Sequence, residues 1–185
     1  MNNTMLYSMM KMREVIELPK RIRMCLDLVE KVSNYPVEIV PASGLDLITL
    51  GAAMLDAYKG TIDDEGEDLG QTVDELKRLF RGLYGPLVEE SSNVILEHGE
   101  IAAGLLVCLY RNEPTITYTF TGKEYRRRGY ATILIEKASE ELRKKGYDSL
   151  CLYVTLENTD AVNLYESLGF YEVPITSVTE VITDC

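Results

Sequence analysis

The stretch Phe120–Gly146, FTGKEYRRRGYATILIEKASEELRKKG, decides how this chain is read. A β-rich run enters Arg126-Arg127-Arg128-Gly129-Tyr130-Ala131, and a long helix follows directly. Over Ala131–Lys145, Ile133, Leu134, Ala138 and Leu142 fall on one helical face, and Gly146 closes the element. The N–H groups that open a helix have no intrahelical acceptor and carry the positive end of its dipole. Gly129 lets an anion approach that backbone, so the turn can cradle phosphate oxygens. Charge points the same way. Residues 123–145 hold eight Lys/Arg against four Asp/Glu, while the whole chain holds 19 against 30 and is −11 net. A basic island in an acidic chain suggests a small polyanion at one place. The plainer alternative is a solvated basic helix end with a glycine in its first turn. The spacing is neither a GxxxxGK[ST] phosphate loop nor a GxGxxG dinucleotide fingerprint.

Outward from this stretch, short apolar runs alternate with amphipathic ones, the pattern of an α/β domain. On the N-terminal side, Val94–Glu97, Ile101–Tyr110 and Thr115–Thr121 read as three strands in a meander. Upstream, residues 45–58 read as a helix with a Ser43/Asp46 capping box and a stop at Gly60. A second helix is predicted over Val73–Leu83, with a Thr72/Glu75 box at its start and Gly85-Pro86 at its end. Residues 1–36 read as an N-terminal extension, part of the same domain or a cover over it. A helix around Ile22–Val32 is the element they suggest, between Pro19 and Pro36. Downstream, Leu150–Thr155 reads as a strand, Thr159–Leu168 as a short helix and Phe170 onward as a β-rich tail.

With 185 residues, 46% hydrophobic and 26% charged, the chain has the makings of one packed domain and not of a disordered or collagen-like one. Its acidity argues against nucleic-acid binding, in which phosphate contacts dominate. The opening MNNTMLYSMMKMREVIELPKRIRM carries Lys11, Arg13 and Glu14, which predicts no signal peptide. No apolar run approaches the roughly 20 residues of a membrane span. Cys25, Cys108, Cys151 and Cys185 form no CxxC pair, and the single histidine, His98, completes no familiar metal spacing. Buried thiols in a cytoplasmic protein without metal are the expectation.

The turn also fits [RQ]-x-x-G-x-[GA] between a strand and a helix. Beyond it come Asn158, Ala161 and the run Leu164-Tyr165-Glu166-Ser167-Leu168-Gly169-Phe170. Together, over roughly residues 94–171, these resemble the GNAT superfamily of acyl-CoA-dependent N-acyltransferases. The resemblance implies a mixed, mostly antiparallel sheet flanked by helices in a single α/β (α+β) domain covering 37–185. It also implies that the sheet splays between the Thr115 and Leu150 strands, with acetyl-CoA in the wedge. The main chain of Thr119, Phe120 and Thr121 would then pair with the pantetheine arm. The turn from Arg126 and Arg127 through Arg128, Gly129, Tyr130, Ala131 and Thr132 would bind the pyrophosphate. Asn158 would hydrogen-bond the arm near its acyl end, and Tyr165 would protonate the departing thiolate, a role suited to a positioned phenol. Read as residues alone, Asn158 is also a natural helix N-cap, Tyr165 a natural core aromatic and Phe170 a packing residue.

The implied reaction is direct attack of an amine on the thioester, which needs a base or a water chain. Relatives acting on protein N-termini often carry Glu five residues before the motif Asn, and this chain has Tyr153 there. Glu97, His98 and Glu113 at strand ends are the candidate bases. Cys108 and Cys151, on apolar strands, are poor nucleophiles. The acceptor is expected among the first two helices and Gly60–Gly70, whose five acids would steer a small cationic amine, or would simply form a solvated loop. Asp56, Tyr58, Tyr84 and Tyr118 are candidates to line its pocket. A non-catalytic acyl-CoA sensor and a protein N-acetyltransferase are the alternative functions, and a homodimer is compatible with the family.

Overall fold

The computed structural model describes residues 20–175. Seven strands form one sheet in the order β2-β3-β4-β5-β6-β1-β7. They are β1 (Arg21–Asp27), β2 (Glu38–Pro41), β3 (Asn93–Glu97), β4 (Glu100–Tyr110), β5 (Glu113–Thr121), β6 (Ser149–Thr155) and β7 (Tyr171–Val173). Every neighbouring pair is antiparallel except β5 and β6, which run parallel. Four α-helices flank the sheet: α1 (Leu47–Tyr58), α2 (Leu69–Phe80), α3 (Tyr130–Lys144) and α4 (Thr159–Ser167). This is the expected mixed, mostly antiparallel single-domain architecture.

The long apolar run of β4 follows from having both sheet faces covered. Successive strand side chains point to opposite faces. Leu105 and Val107 therefore enter the core beneath α3 and α4, with Leu134, Ile135 and Leu142. Leu106 and Cys108 enter the core beneath α1 and α2, with Leu50, Leu76 and Leu79. A strand sandwiched this way is apolar at every position.

Three local expectations need correction. Both early helices begin at an aspartate. Asp46 caps α1 by accepting the Thr49 N–H at 2.9 Å, so Ser43 is not the cap. Asp68 caps α2 in a reciprocal box with Gln71. Thr72 lies inside that helix, its hydroxyl bonded to the Asp68 carbonyl at 3.0 Å, and the helix stops at Phe80, ahead of Gly85-Pro86. The segment around Ile22–Val32 is a strand, not a helix, over Arg21–Asp27. Its alternating Ile22 and Met24 are buried, and it pairs with β6 on one side and β7 on the other. A two-residue period with open partners on both edges overrides helix propensity.

The thiol expectation also changes. Cys25 and Cys151 stand directly opposite in the β1/β6 register, with Cα atoms 4.1 Å apart, and are joined in a disulfide. Opposed residues in an antiparallel pair approach this closely, and the 126 residues between them hid the proximity. Cys108 is a buried free thiol. Cys185 and the tail beyond residue 175 lie outside the described residues.

The sheet opens where the site forms. β5 and β6 are in register only at Thr115–Cys151 and Ile116–Leu152. Immediately afterwards the β4/β5 register shifts, with Leu106 opposite Tyr118 and Val107 opposite Ile116, so Thr117 is the extra residue. A bulge bends its strand and increases its twist. Here it turns Thr117–Thr121 away from β6 while both strands keep their outer partners.

Candidate active site

The opening continues into a cleft of about 1780 Å³, larger than the roughly 300–1,000 Å³ of an ordinary small-ligand pocket. Its walls are β5 from Thr115 to Thr121, the turn into α3, the end of β6, the start of α4, and the loop and first turns of α2. Among the described residues no helix is long and apolar enough to cross a membrane.

At one end lies the β5–α3 turn. Arg127 and Gly129 both adopt positive φ, 64° and 79°, and Gly129 is the N-cap of α3 with no side chain capping it. A Cβ built on Gly129 would meet nothing within 4 Å, so the backbone there faces open space. The first N–H groups of α3 are thus presented to the cleft with the positive end of the dipole behind them. This is the chemistry a pyrophosphate requires, and the residues present fit one.

The side chains of the turn divide. Arg126 donates to the carbonyls of Ala57 at 2.8 Å and Thr121 at 3.4 Å, tying α1 to β5 at the rim. Arg127, Gly129, Tyr130, Ala131 and Thr132 also line the cleft. Arg128 turns away to Glu97 at 2.7 Å and the Glu124 carbonyl at 3.0 Å, which leaves only its main chain to face a ligand. The basic island is accordingly smaller than its sequence count. Arg128, Lys137, Arg143, Lys144 and Lys145 are each in ion pairs with neighbouring carboxylates.

Along the middle runs the free edge of β5. The Thr119 carbonyl accepts the Tyr58 hydroxyl at 2.9 Å. The side chain of Phe120 points the other way into the core, where its ring lies against Gly104. A Cβ there would come within 2.4 Å of it.

At the far end, Asn158 caps α4, its amide oxygen accepting the Ala161 N–H at 3.2 Å. Its amide nitrogen donates to Asp63 at 2.7 Å. Tyr165, two turns on, is 5% exposed and packs against Phe170, ring centroids 5.5 Å apart. Burial first, and then the Asp63 carboxylate, hold its phenol well above the ordinary tyrosine value. Tyr58 is raised likewise, by burial and by its neighbours Tyr165 and Asp63. Both phenols are therefore protonated donors at neutral pH.

The candidate bases are not brought to the cleft. Glu97 accepts from Tyr130 and Arg128 on the outside of the turn. Glu113 accepts from Arg23 at 2.5 Å, and His98 stands exposed in the β3–β4 hairpin with φ 53°. Asp56 faces solvent. Tyr58, Tyr84 and Tyr118 do line the cleft. Two carboxylates escaped the sequence reading. Asp63 was indistinguishable from the other loop acids, and Glu75 had been read as a capping residue. Glu75 accepts the hydroxyls of Tyr84 at 2.5 Å and Tyr118 at 2.9 Å.

Residues 59–170 match the Acetyltransferase (GNAT) family. The chain belongs to that family. Among curated relatives, the [ribosomal protein bS18]-alanine N-acetyltransferase of Escherichia coli K12 is 35% identical over 81 residues, 44% of this chain and 55% of the relative. An uncharacterized N-acetyltransferase of Methanocaldococcus jannaschii is 42% identical over 53 residues, 29% of this chain and 24% of its own. The chain thus spans about half the length, or less, of the curated relatives it matches. The crystal structure of the E. coli S18-alanine enzyme superposes with a TM-score of 0.59 at 23% identity, over 74% of this chain and 79% of that one. PaiA N-acetyltransferase of Thermoplasma acidophilum, solved in complex with coenzyme A, gives 0.61 at 19% identity, over 78% and 94%. At these identities the likeness is one of fold.

Proposed function

We propose that this GNAT protein is an acetyl-CoA-dependent N-acetyltransferase that moves an acetyl group to a primary amine by direct attack. One observation carries the reading. A single cleft joins an uncapped, glycine-opened helix N-terminus to a free strand edge and a buried, protonated tyrosine. The backbone from Arg127 to Thr132 would hold the pyrophosphate, and Arg126 would fix the rim. The edge at Thr119, Phe120 and Thr121 would hold the pantetheine arm by main-chain hydrogen bonds. Asn158 would bind the arm close to the thioester. Acetyl-CoA supplies the activated acetyl group. The amine would lose one proton to water in the open cleft before it attacks. Tyr165 would keep its proton until negative charge grows on the leaving sulfur, then donate it and regain one from the nitrogen that attack leaves positively charged.

For the acceptor we infer the α-amine of a protein or peptide. The curated relatives named for acetylating a ribosomal-protein alanine support this. A small cationic amine is the second reading, favoured by the acids of the α1–α2 loop that line the same cleft. The cytoplasmic setting expected from the sequence is opposed by the Cys25–Cys151 disulfide, a bond characteristic of oxidising compartments. The setting is checked by titrating the thiols of freshly extracted protein, with Cys25 and Cys151 as the pair to follow.

The test is thermal unfolding with acetyl-CoA, CoA and NAD in parallel, each about 100-fold above its dissociation constant, where a native-state ligand adds about 2.7 kcal/mol. Stabilisation by both CoA species and not by NAD is the expected result. An acceptor panel followed by thiol release then ranks peptides against small amines. No shift with either CoA species overturns the proposal.

A further inference from the structure

The five acids between Gly60 and Gly70 do different things. Asp64 holds the loop together by accepting the Gly60 and Gly66 N–H groups at 2.6 and 2.9 Å. Asp68 caps α2. Glu65 and Glu67 are exposed. Asp63 alone of the five is half-buried, and its carboxylate crosses the cleft to the opposite wall. It accepts from the Asn158 amide at 2.7 Å and faces the Thr155 hydroxyl at 3.4 Å. The loop fixes it there. Thr61 donates to the Tyr58 carbonyl at 2.7 Å and accepts the Asp63 N–H at 3.3 Å.

The groups that hydrogen-bond its carboxylate are uncharged. Asn158, Thr155, Tyr58 and Tyr165 are the groups that bear on it, and among the described residues no Lys, Arg or His nitrogen lies within 4.0 Å. The other half-buried carboxylate that lines the cleft, Glu75, differs. It already has two phenol donors and Arg78 at 3.6 Å. A half-buried carboxylate is best compensated by a cation, and an aliphatic amine reaches the site protonated.

Building on the acetyltransferase reading, we propose that Asp63 is the specificity-determining residue for the acceptor: its carboxylate binds the ammonium of the incoming primary amine and sets its nitrogen beside Tyr165. The ligand class is therefore a primary ammonium group, on a chain terminus or on a small molecule. Asn158 and Thr155 orient the carboxylate, and the loop acids outside it attract the same charge.

The test compares charged probes with uncharged twins on protein saturated with CoA. One pair is an alanine-starting peptide and its N-formylated form; the other is 1,4-diaminobutane and 1,4-butanediol. In wild-type protein the charged member should bind the tighter. Asp63→Asn should weaken the charged probes about tenfold, in the range of a partly exposed charge pair, and leave the uncharged ones unmoved. Asp63→Glu should recover most of the loss. Glu89→Gln, an exposed charge far from the cleft, should change nothing. Equal binding of charged and uncharged probes, or an Asp63→Asn protein that keeps wild-type affinity for the charged ones, overturns the proposal. So does an Asp63→Asn protein that loses CoA affinity instead, because the carboxylate would then serve Asn158. A wild-type protein with no CoA shift removes the acetyltransferase reading itself.

Discussion

Of the three helix N-termini that border the cleft, those of α3 and α2 are finished in opposite ways. That of α3 ends in Gly129 with no capping side chain, behind a turn of arginines. That of α2 is sealed by Asp68 and Gln71, which satisfy each other's backbone N–H groups at 2.9 and 2.8 Å, behind a loop of acids. The peptide dipoles are the same. One is left exposed to the cleft and the other is neutralised by its own carboxylate. A single cavity thus acquires an anion-binding end and a cation-attracting side. On the proposed function, in which a polyphosphate cofactor and an ammonium substrate share the cleft, this separation would keep each reactant out of the other's place.

The contrast can be broken from either side. The largest effect is expected from Gly129→Asp, which puts a carboxylate on the uncapped end at a positive φ. Losing about two charge-assisted N–H bonds costs roughly 3 kcal/mol, so calorimetric titration should show CoA affinity falling about 100-fold. Unchanged affinity would mean the two termini are not functionally different. Next, Tyr165→Phe should cut the turnover rate about 100-fold in a thiol-release assay while CoA binds as before. A matching loss of binding would make Tyr165 a packing residue only. Smaller still is Asp68→Ala, which opens the α2 terminus. It should destabilise by about 1 kcal/mol, lowering Tm by about 2–4 °C, and leave CoA affinity intact. If CoA binding rises instead, anion preference comes from any open helix end in the cleft. The smallest change is expected from acid. Donation from the Gly60 and Gly66 N–H groups holds the Asp64 carboxyl below its ordinary value. Its contribution is therefore present above the usual carboxylate range and lost as pH falls through the lowered value. The protection factors of the Gly60 and Gly66 amides, taken against the intrinsic exchange rate at each pH, should fall as pH is taken below about 4, ahead of those in the turn at Gly129.

The two sides of the cleft were also unequally legible. The α3 terminus was readable because its parts are adjacent: a strand, three arginines, a glycine and an amphipathic run lie within 27 residues, and local geometry follows from local sequence. Asn158 and Tyr165 were singled out by the family resemblance of the stretch that holds them, and the fold brings both to the cleft wall. Asp63 was not found. Nothing in GTIDDEGEDLG separates it from Asp64, because what distinguishes them is which one meets Asn158, 95 residues away. Whether Glu97 and Glu113 are bases or ordinary loop residues was undecided for the same reason. Being at a strand end says nothing about which partner, Arg128 or Arg23, claims the carboxylate.

The sequence alone determined the alternation of helices and strands, the glycine-opened turn into α3 and the acidic balance of the chain, all of which rest on residues close together or on sums over the chain; the mixed sheet came with the family resemblance. Tertiary structure decided the rest. It assigned Arg21–Asp27 to a strand between β6 and β7, joined Cys25 to Cys151, opened the sheet after the bulge at Thr117 and turned Asp63 inward. Each of these depends on a partner far away along the chain, and a residue's own preferences are weaker than what that partner offers.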